Sequence, residues 1–210
     1  MLVIGLTGGI GTGKTEVSKI LSGFGAPLVY ADELAHQTYI YGTQTWSKIV
    51  SEFGHQILRS NGDIDRSKLR EIVFSDGLAL NKLNSLVHPE VQKLITNLIQ
   101  QHSKGGTEVL VIEIPLLVEA IIRDEAWTSL INEIWVTDSP PEMVVERLRK
   151  RNNISMEMIN ETIRAQTSQS ERKKYADVII DNSGNLNDLE HTVSQIWNQH
   201  IALKNKREDV

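Results

Sequence analysis

The stretch Gly8-Gly9-Ile10-Gly11-Thr12-Gly13-Lys14-Thr15 is a complete G-x-x-x-x-G-K-[ST] pattern between an apolar run and an amphipathic one. Such a loop wraps a phosphate so closely that backbone N–H groups face the anion, and glycines give both the dihedrals and the clearance. The run before it, Leu2 to Thr7, reads as a short buried strand. The run after it, Lys14 to Ser22, puts Val17, Ile20 and Leu21 on one helical face and aims its positive dipole end at the same anion. Strand, loop and helix in that order point to purine nucleotide binding. Lys14 is then placed to reach the β- and γ-phosphates, and the Thr15 hydroxyl to ligate Mg²⁺.

Outward from the loop, Leu28 to Tyr30 reads as a second strand running into Asp32, where another helix begins. From 41 to 105 the character changes to helical patterns: Trp46–Phe53, Arg66–Phe74, Leu78–Leu86 and Glu90–His102, with Pro89 in the first turn of the last. Strand-like runs return at Glu108–Glu113, Glu133–Thr137 and Asp177–Ile180. Helices are expected at Pro141–Arg151, Met156–Gln166 and Leu186–Ala202. Short buried strands alternating with helices predict an α/β P-loop kinase fold, a parallel sheet of about five strands with helices on both faces. The strand-poor stretch is a helical insertion into that single unit.

Composition narrows the chemistry. The chain has 210 residues, 40% hydrophobic and 23% charged, enough for a sizeable core. The absence of cysteine excludes disulfides, thiolate zinc sites, iron–sulfur clusters and cysteine nucleophiles. A net charge of −5 and only 5% aromatic residues argue against nucleic acid and anionic membranes as partners. The six histidines show no metal-ligand spacing. The apolar start Met1–Leu6 lacks a basic flank, and no run approaches the roughly 18 apolar residues of a membrane span. The expectation is a soluble cytoplasmic protein acting on a small molecule, as a monomer or small homo-oligomer.

Nucleotide binding alone leaves kinase, switch and transport ATPase open. A GTPase would need Asn-Lys-x-Asp after a later strand, but Asn81-Lys-Leu-Asn84 lies in a helical pattern and Asn205-Lys-Arg-Glu208 in the tail. Leu21-Ser-Gly-Phe-Gly25 resembles a transporter signature but reads as the end of the first helix. A small-molecule kinase needs a base and a basic lid. Asp32, just past the second strand, would face the same crevice as the phosphate loop and suits a general base, or else the N-cap of a helix starting at Glu33. Arg147-Leu-Arg-Lys-Arg151 puts like charges on one helix face, a repulsion that triphosphate oxygens would relieve.

With these residues in place, the chain resembles the dephospho-coenzyme A kinases from end to end. The matching strings are Leu6 to Thr15, Ala31-Asp32 with His36, Gly62-Asp-Ile-Asp-Arg66, Leu83-Asn84 with His88-Pro89, and Pro115-Leu-Leu-Val-Glu119. Further on come Arg147-Leu148, Arg151, Gln166, Ala176-Asp177-Val and Asp181-Asn-Ser-Gly184. The resemblance implies transfer of the ATP γ-phosphoryl to the ribose 3′-hydroxyl of dephospho-CoA, with Asp32 as base and Lys14 with Arg147 on the transferring group. It implies nucleotide contacts from Gly9, Gly11, Thr12, Gly13, Lys14, Thr15, Glu16 and Arg151, with Thr15 on Mg²⁺. The acceptor side would take His36, Asp65, Arg66, His88, Pro115, Leu116 and Leu117. Residues 41–105 become the substrate domain, 147–170 the lid, and 1–40, 106–146 and 171–210 the core. Two positions depart from the family pattern: Tyr30 and Glu113 stand where many relatives carry Asp. Kinases of a nucleoside monophosphate or other small alcohol, and a nucleotide-dependent switch, are the alternatives.

Overall fold

A computed structural model of the chain describes residues 1–152 and 155–208, and at 74, 75, 151, 152 and 201–208 it describes the backbone only. The chain divides into two compact units, one of Met1–Val29 with Ser103–Val210 and the other of Tyr30–His102.

The first unit is built on a five-stranded sheet of β1 (Leu2–Gly8), β2 (Leu28–Tyr30), β3 (Val109–Glu113), β4 (Glu133–Asp138) and β5 (Val178–Asp181), in the order β2-β3-β1-β4-β5. β1 pairs in parallel with both β3 and β4, and β4 pairs in parallel with β5. β3 is buried at every position and β1 at all but its first, as expected for inner strands covered on both faces. Alternation then divides the core. Ile4, Leu6, Val109, Val111 and Trp135 pack against Val17 and Leu21 of α1 (Lys14–Gly23) and Leu189 and Val193 of α10 (Leu186–Glu208). Gly5 faces the other way. A Cβ there would stand 2.5 Å from Leu117 Cδ2 and 2.9 Å from Ile131 Cγ2, so glycine lets the Leu117 helix sit down on the sheet.

The second unit is helical, with α2 (Ala31–Thr38), α3 (Gln44–Phe53), α4 (Arg66–Ser75) and most of α5 (Gly77–Lys104). Ile49, Phe53, Ile57, Ile64, Leu69, Val73 and Val87 form its own core. The sequence reads two helices separated before Pro89, whereas α5 is one 28-residue helix with Pro89 inside it. Proline there removes a single main-chain donor, while Val87 before it and Ile95 and Ile99 after it remain buried. The remaining helices belong to the first unit: α6 (Leu117–Ile122), α7 (Pro141–Asn152), α8 (Met156–Arg164) and α9 (Gln169–Lys173). Among the described residues no helix is long and apolar enough to cross a membrane.

Candidate active site

In the first unit the glycine-rich stretch forms a loop braced from three directions. Thr12 Oγ1 donates to Gly9 O at 2.8 Å and shares a 2.6 Å hydrogen bond with Thr137 Oγ1 at the end of β4. Asn182 Nδ2, just past β5, donates to Thr12 O at 2.9 Å, and Ser139 Oγ donates to the same carbonyl at 3.2 Å. Arg147 of α7 donates to Gly11 O at 3.3 Å, Ser139 Oγ at 2.8 Å and Asn182 O at 3.0 Å. Lys14 Nζ donates to the carbonyls of Gly8 at 3.0 Å and Gly9 at 3.1 Å. Gly13 caps α1 in the left-handed conformation with no side-chain cap, and Thr15 is exposed in the first turn. That turn carries N–H groups with no partner inside the helix, the usual place for an anion.

In the second unit a cleft of about 310 Å³ is lined by His36 and Tyr39 of α2, by Arg59 and Asp63, and by Arg66 at the start of α4. The turn supplying Arg59 and Asp63 is closed by Arg59 N–H donating to Asp63 O at 2.9 Å and by pairing of Leu58 with Ile64. Trp46 Nε1 donates to Gly62 O at 3.0 Å, and Tyr41 packs edge-on to Trp46 at 4.9 Å, which fixes the turn to α3. Burial and the Arg66 cation hold the His36 imidazole below its ordinary 6.5 against the opposing pull of Asp32 and Glu33. Burial pushes the Tyr39 phenol up, so it stays protonated near neutrality. Two arginines beside a neutral imidazole make the cleft suited to a polyanionic ligand.

A sequence profile described as dephospho-CoA kinase matches residues 2–188. The chain is 41% identical over 198 residues to the dephospho-CoA kinase of Carboxydothermus hydrogenoformans, covering 93% of this chain and 94% of that one. The chain belongs to the dephospho-CoA kinase family. Among solved structures, the dephospho-CoA kinase of Campylobacter jejuni aligns with TM-score 0.72 at 27% identity, covering 97% of this chain and 98% of that one. A shikimate kinase from Acinetobacter baumannii aligns with TM-score 0.55 at 12% identity, covering 97% and 95%, and shows the shared P-loop kinase fold alone. As a family member the protein is a kinase of coenzyme A biosynthesis, a transferase with ATP as phosphoryl donor.

Of the residues expected at the site of this dephospho-CoA kinase family member, Gly9, Gly11, Thr12, Gly13, Lys14, Thr15 and Arg147 come together around the loop. Glu16 pairs with Lys19 at 2.8 Å on the surface of α1. The Arg151 side chain lies outside the described residues. His36 and Arg66 line the cleft of the second unit, and His88 sits half-buried on α5. Asp65 caps α4, accepting from Ser67 N–H at 3.0 Å and Lys68 N–H at 3.4 Å. Asp32 is no N-cap: α2 begins one residue earlier, at Ala31, and leaves the Asp32 carboxylate exposed in the first turn. Pro115 O accepts from Thr7 Oγ1 at 3.2 Å, and Leu116 is 44% exposed. Leu117 is fully buried over Gly5 and serves the core, so it presents no surface to a substrate. Glu113, at the end of β3, accepts from Ser18 Oγ of α1 at 2.6 Å, so its buried carboxylate is already tied to the loop's helix. The bracing residues Thr137, Ser139 and Asn182 went unassigned in the sequence, although Asn182 lies inside the matching string Asp181 to Gly184.

Proposed function

We propose that this protein transfers the γ-phosphoryl of ATP to the ribose 3′-hydroxyl of dephospho-CoA, giving CoA and ADP, with Asp32 as general base. The observation that carries the reading is the preassembled loop, with Lys14 and Arg147 held on its carbonyls beside the open first turn of α1. Asp32 takes the proton of the 3′-hydroxyl as that oxygen bonds the γ-phosphorus, and the bond from phosphorus to the bridging oxygen of ADP breaks. Lys14 exchanges the Gly8 and Gly9 carbonyls for phosphate oxygens, and Arg147 exchanges its carbonyl and hydroxyl partners likewise. Positioning and charge neutralisation then supply most of the rate.

Mg²⁺ fits this donor set. Among the described residues no group of three or more His, Asp or Glu could cage a metal, and a hydroxyl such as that of Thr15 is a hard oxygen donor of the kind Mg²⁺ takes beside nucleotide phosphates. Thr15 would hold the ion, which would supply positive charge to the phosphoryl transfer. On the acceptor side, Arg59 and Arg66 take the pyrophosphate of dephospho-CoA, with His36 beside them. His88, Pro115 and Leu116 make further contacts, and Asp65 acts through the start of α4. The reaction is a cytoplasmic one on a small molecule.

Coupled ADP release tests this with ATP–Mg²⁺ and either dephospho-CoA or nucleoside monophosphates. Release should require dephospho-CoA and yield CoA one for one. Asp32→Asn should lower kcat at least about 100-fold while leaving the ATP KM within about twofold. Turnover comparable to wild type in that variant would remove Asp32 as base.

A further inference from the structure

Two paired charges in the first unit, Arg172 buried and Glu119 largely so, have no part in the roles above. Arg172 of α9 is 2% exposed, and its Nη2 lies 3.1 Å from Glu119 Oε1 on α6. Arg172 Nη1 donates to Thr167 O at 2.5 Å, while Thr167 N–H donates to the same Glu119 oxygen at 3.2 Å. One ion pair thus grips both main-chain groups of Thr167. The residues flanking Thr167 reach the phosphate loop and its support. Gln166 Oε1 accepts from Ile10 N–H at 2.9 Å, and Gln169 Nε2 donates to Thr137 O at 2.9 Å. The guanidinium itself lies against the loop: a Cβ built on Gly9 would stand 3.5 Å from Arg172 Nη1.

Stability alone does not account for this pair. A buried ion pair returns its desolvation cost only where every polar atom is satisfied, and apolar residues of similar volume often hold the same elements together as well or better. Here Arg172 Nε and Glu119 Oε2 are buried with no hydrogen-bond partner. Apolar side chains could join α6 to α9, but they could not fix the Thr167 peptide from both its N–H and its C=O. That fixing aims Gln166 at the loop. Burial pushes the Glu119 carboxyl up, but hydrogen bonds from Thr167 and the Arg172 charge outweigh it, so the carboxyl stays ionised below the usual carboxylate range.

We infer that Glu119 and Arg172 are a positioning pair for the nucleotide: they hold residues 166–169 against the phosphate loop so that Gln166 sets the Ile10 peptide. This rests on the loop being the nucleotide site, as proposed above. Neither residue touches the reacting atoms, so their effect falls on nucleotide affinity more than on the chemical step.

The test is calorimetric titration of the full chain with MgADP, together with the thermal midpoint and the ATP KM and kcat of each variant. The double variant Glu119→Leu with Arg172→Met removes both charges at once. It should keep or raise the thermal midpoint, yet raise the MgADP Kd about tenfold, the scale of one net hydrogen bond lost from the loop's support. Arg172→Lys keeps the charge but loses the planar fork, and should raise Kd in the same direction by less. In both, the ATP KM should follow Kd while kcat at saturation changes less. A wild-type Kd in either variant would overturn the positioning role. If the double variant fails to fold, Arg172→Lys decides alone. Wild-type protein that does not bind MgADP would remove the nucleotide reading itself, and this inference with it.

Discussion

Gly13→Ala probes whether the loop is as tightly specified as its bracing implies. Gly13 has φ of +100°, where a side chain costs about 1–2 kcal/mol relative to right-handed backbone. The space is also taken: a Cβ would stand 2.0 Å from Asn182 Nδ2 and 3.2 Å from Asn182 Cγ. The amide must therefore withdraw by more than an ångström, and it is 6% exposed and donates to Thr12 O. Displacing a buried hydrogen-bonded amide costs about 1–3 kcal/mol. Arg147, which donates to Asn182 O and Oδ1, is drawn into the same shift. The sum is about 2–5 kcal/mol. At about 2–4 °C per kcal/mol for a chain of this size, the thermal midpoint should fall by roughly 10 °C. Thermal unfolding followed by circular dichroism reads this directly. In an Asn182→Ala background the obstructing amide is gone, so the same glycine change should cost only the backbone part, about 1–2 kcal/mol. A shift under about 2 °C in the single variant, or an undiminished cost without the Asn182 amide, would refute the account.

Two further outcomes concern the second unit. Asp65→Ala should destabilise by about 0.5–2 kcal/mol through loss of the α4 cap. Its exposed 3.7 Å ion pair with Arg59 adds at most about 1 kcal/mol. Asp65→Asn, which can still cap, should stay near wild type, and unchanged unfolding of Asp65→Ala would contradict the capping role. For His36 the folded-state value is lowered, so its contribution to stability is present above about pH 6.5 and is lost as pH falls through the lowered value. A polyanionic acceptor in the cleft works in the opposite direction, favouring the imidazolium. Binding of dephospho-CoA near pH 6 should therefore take up protons, measured by calorimetry in buffers of different ionisation enthalpy. Uptake persisting in His36→Gln would assign it elsewhere.

The sequence made some of this legible and hid the rest for physical reasons. β1, β3 and β4 stand out because strands buried on both faces must be continuous apolar runs. The phosphate loop stands out because its glycines are a steric requirement. α6 and α9, by contrast, have 6 and 5 residues, less than two turns, too short for helical periodicity to show. Pro89 suggested a break, but burial of Val87, Ile95 and Ile99 along α5 outweighed one missing hydrogen bond. The bracing of the loop was invisible for another reason. Thr12 meets Thr137 across 125 positions and Asn182 across 170, and only the β1-β4-β5 order brings those strand ends together. Local spacing carries no trace of such contacts.

That order of strands also accounts for the state of the two cations. Lys14 rests on Gly8 and Gly9 carbonyls, and Arg147 on Gly11 O, Ser139 Oγ and Asn182 O, so neither charge is without a partner. A phosphate entering the loop replaces neutral dipoles with a full negative charge, so each cation trades an ion–dipole contact for an ion pair. The exchange favours the anion without any need to recruit the cations from solvent. The side chains that support this arrangement come from β4, from the segment after β5, from α7 and from the stretch around Thr167. The loop is therefore held in shape by the sheet's strand ends and their flanking helices, and its eight residues alone would not specify it.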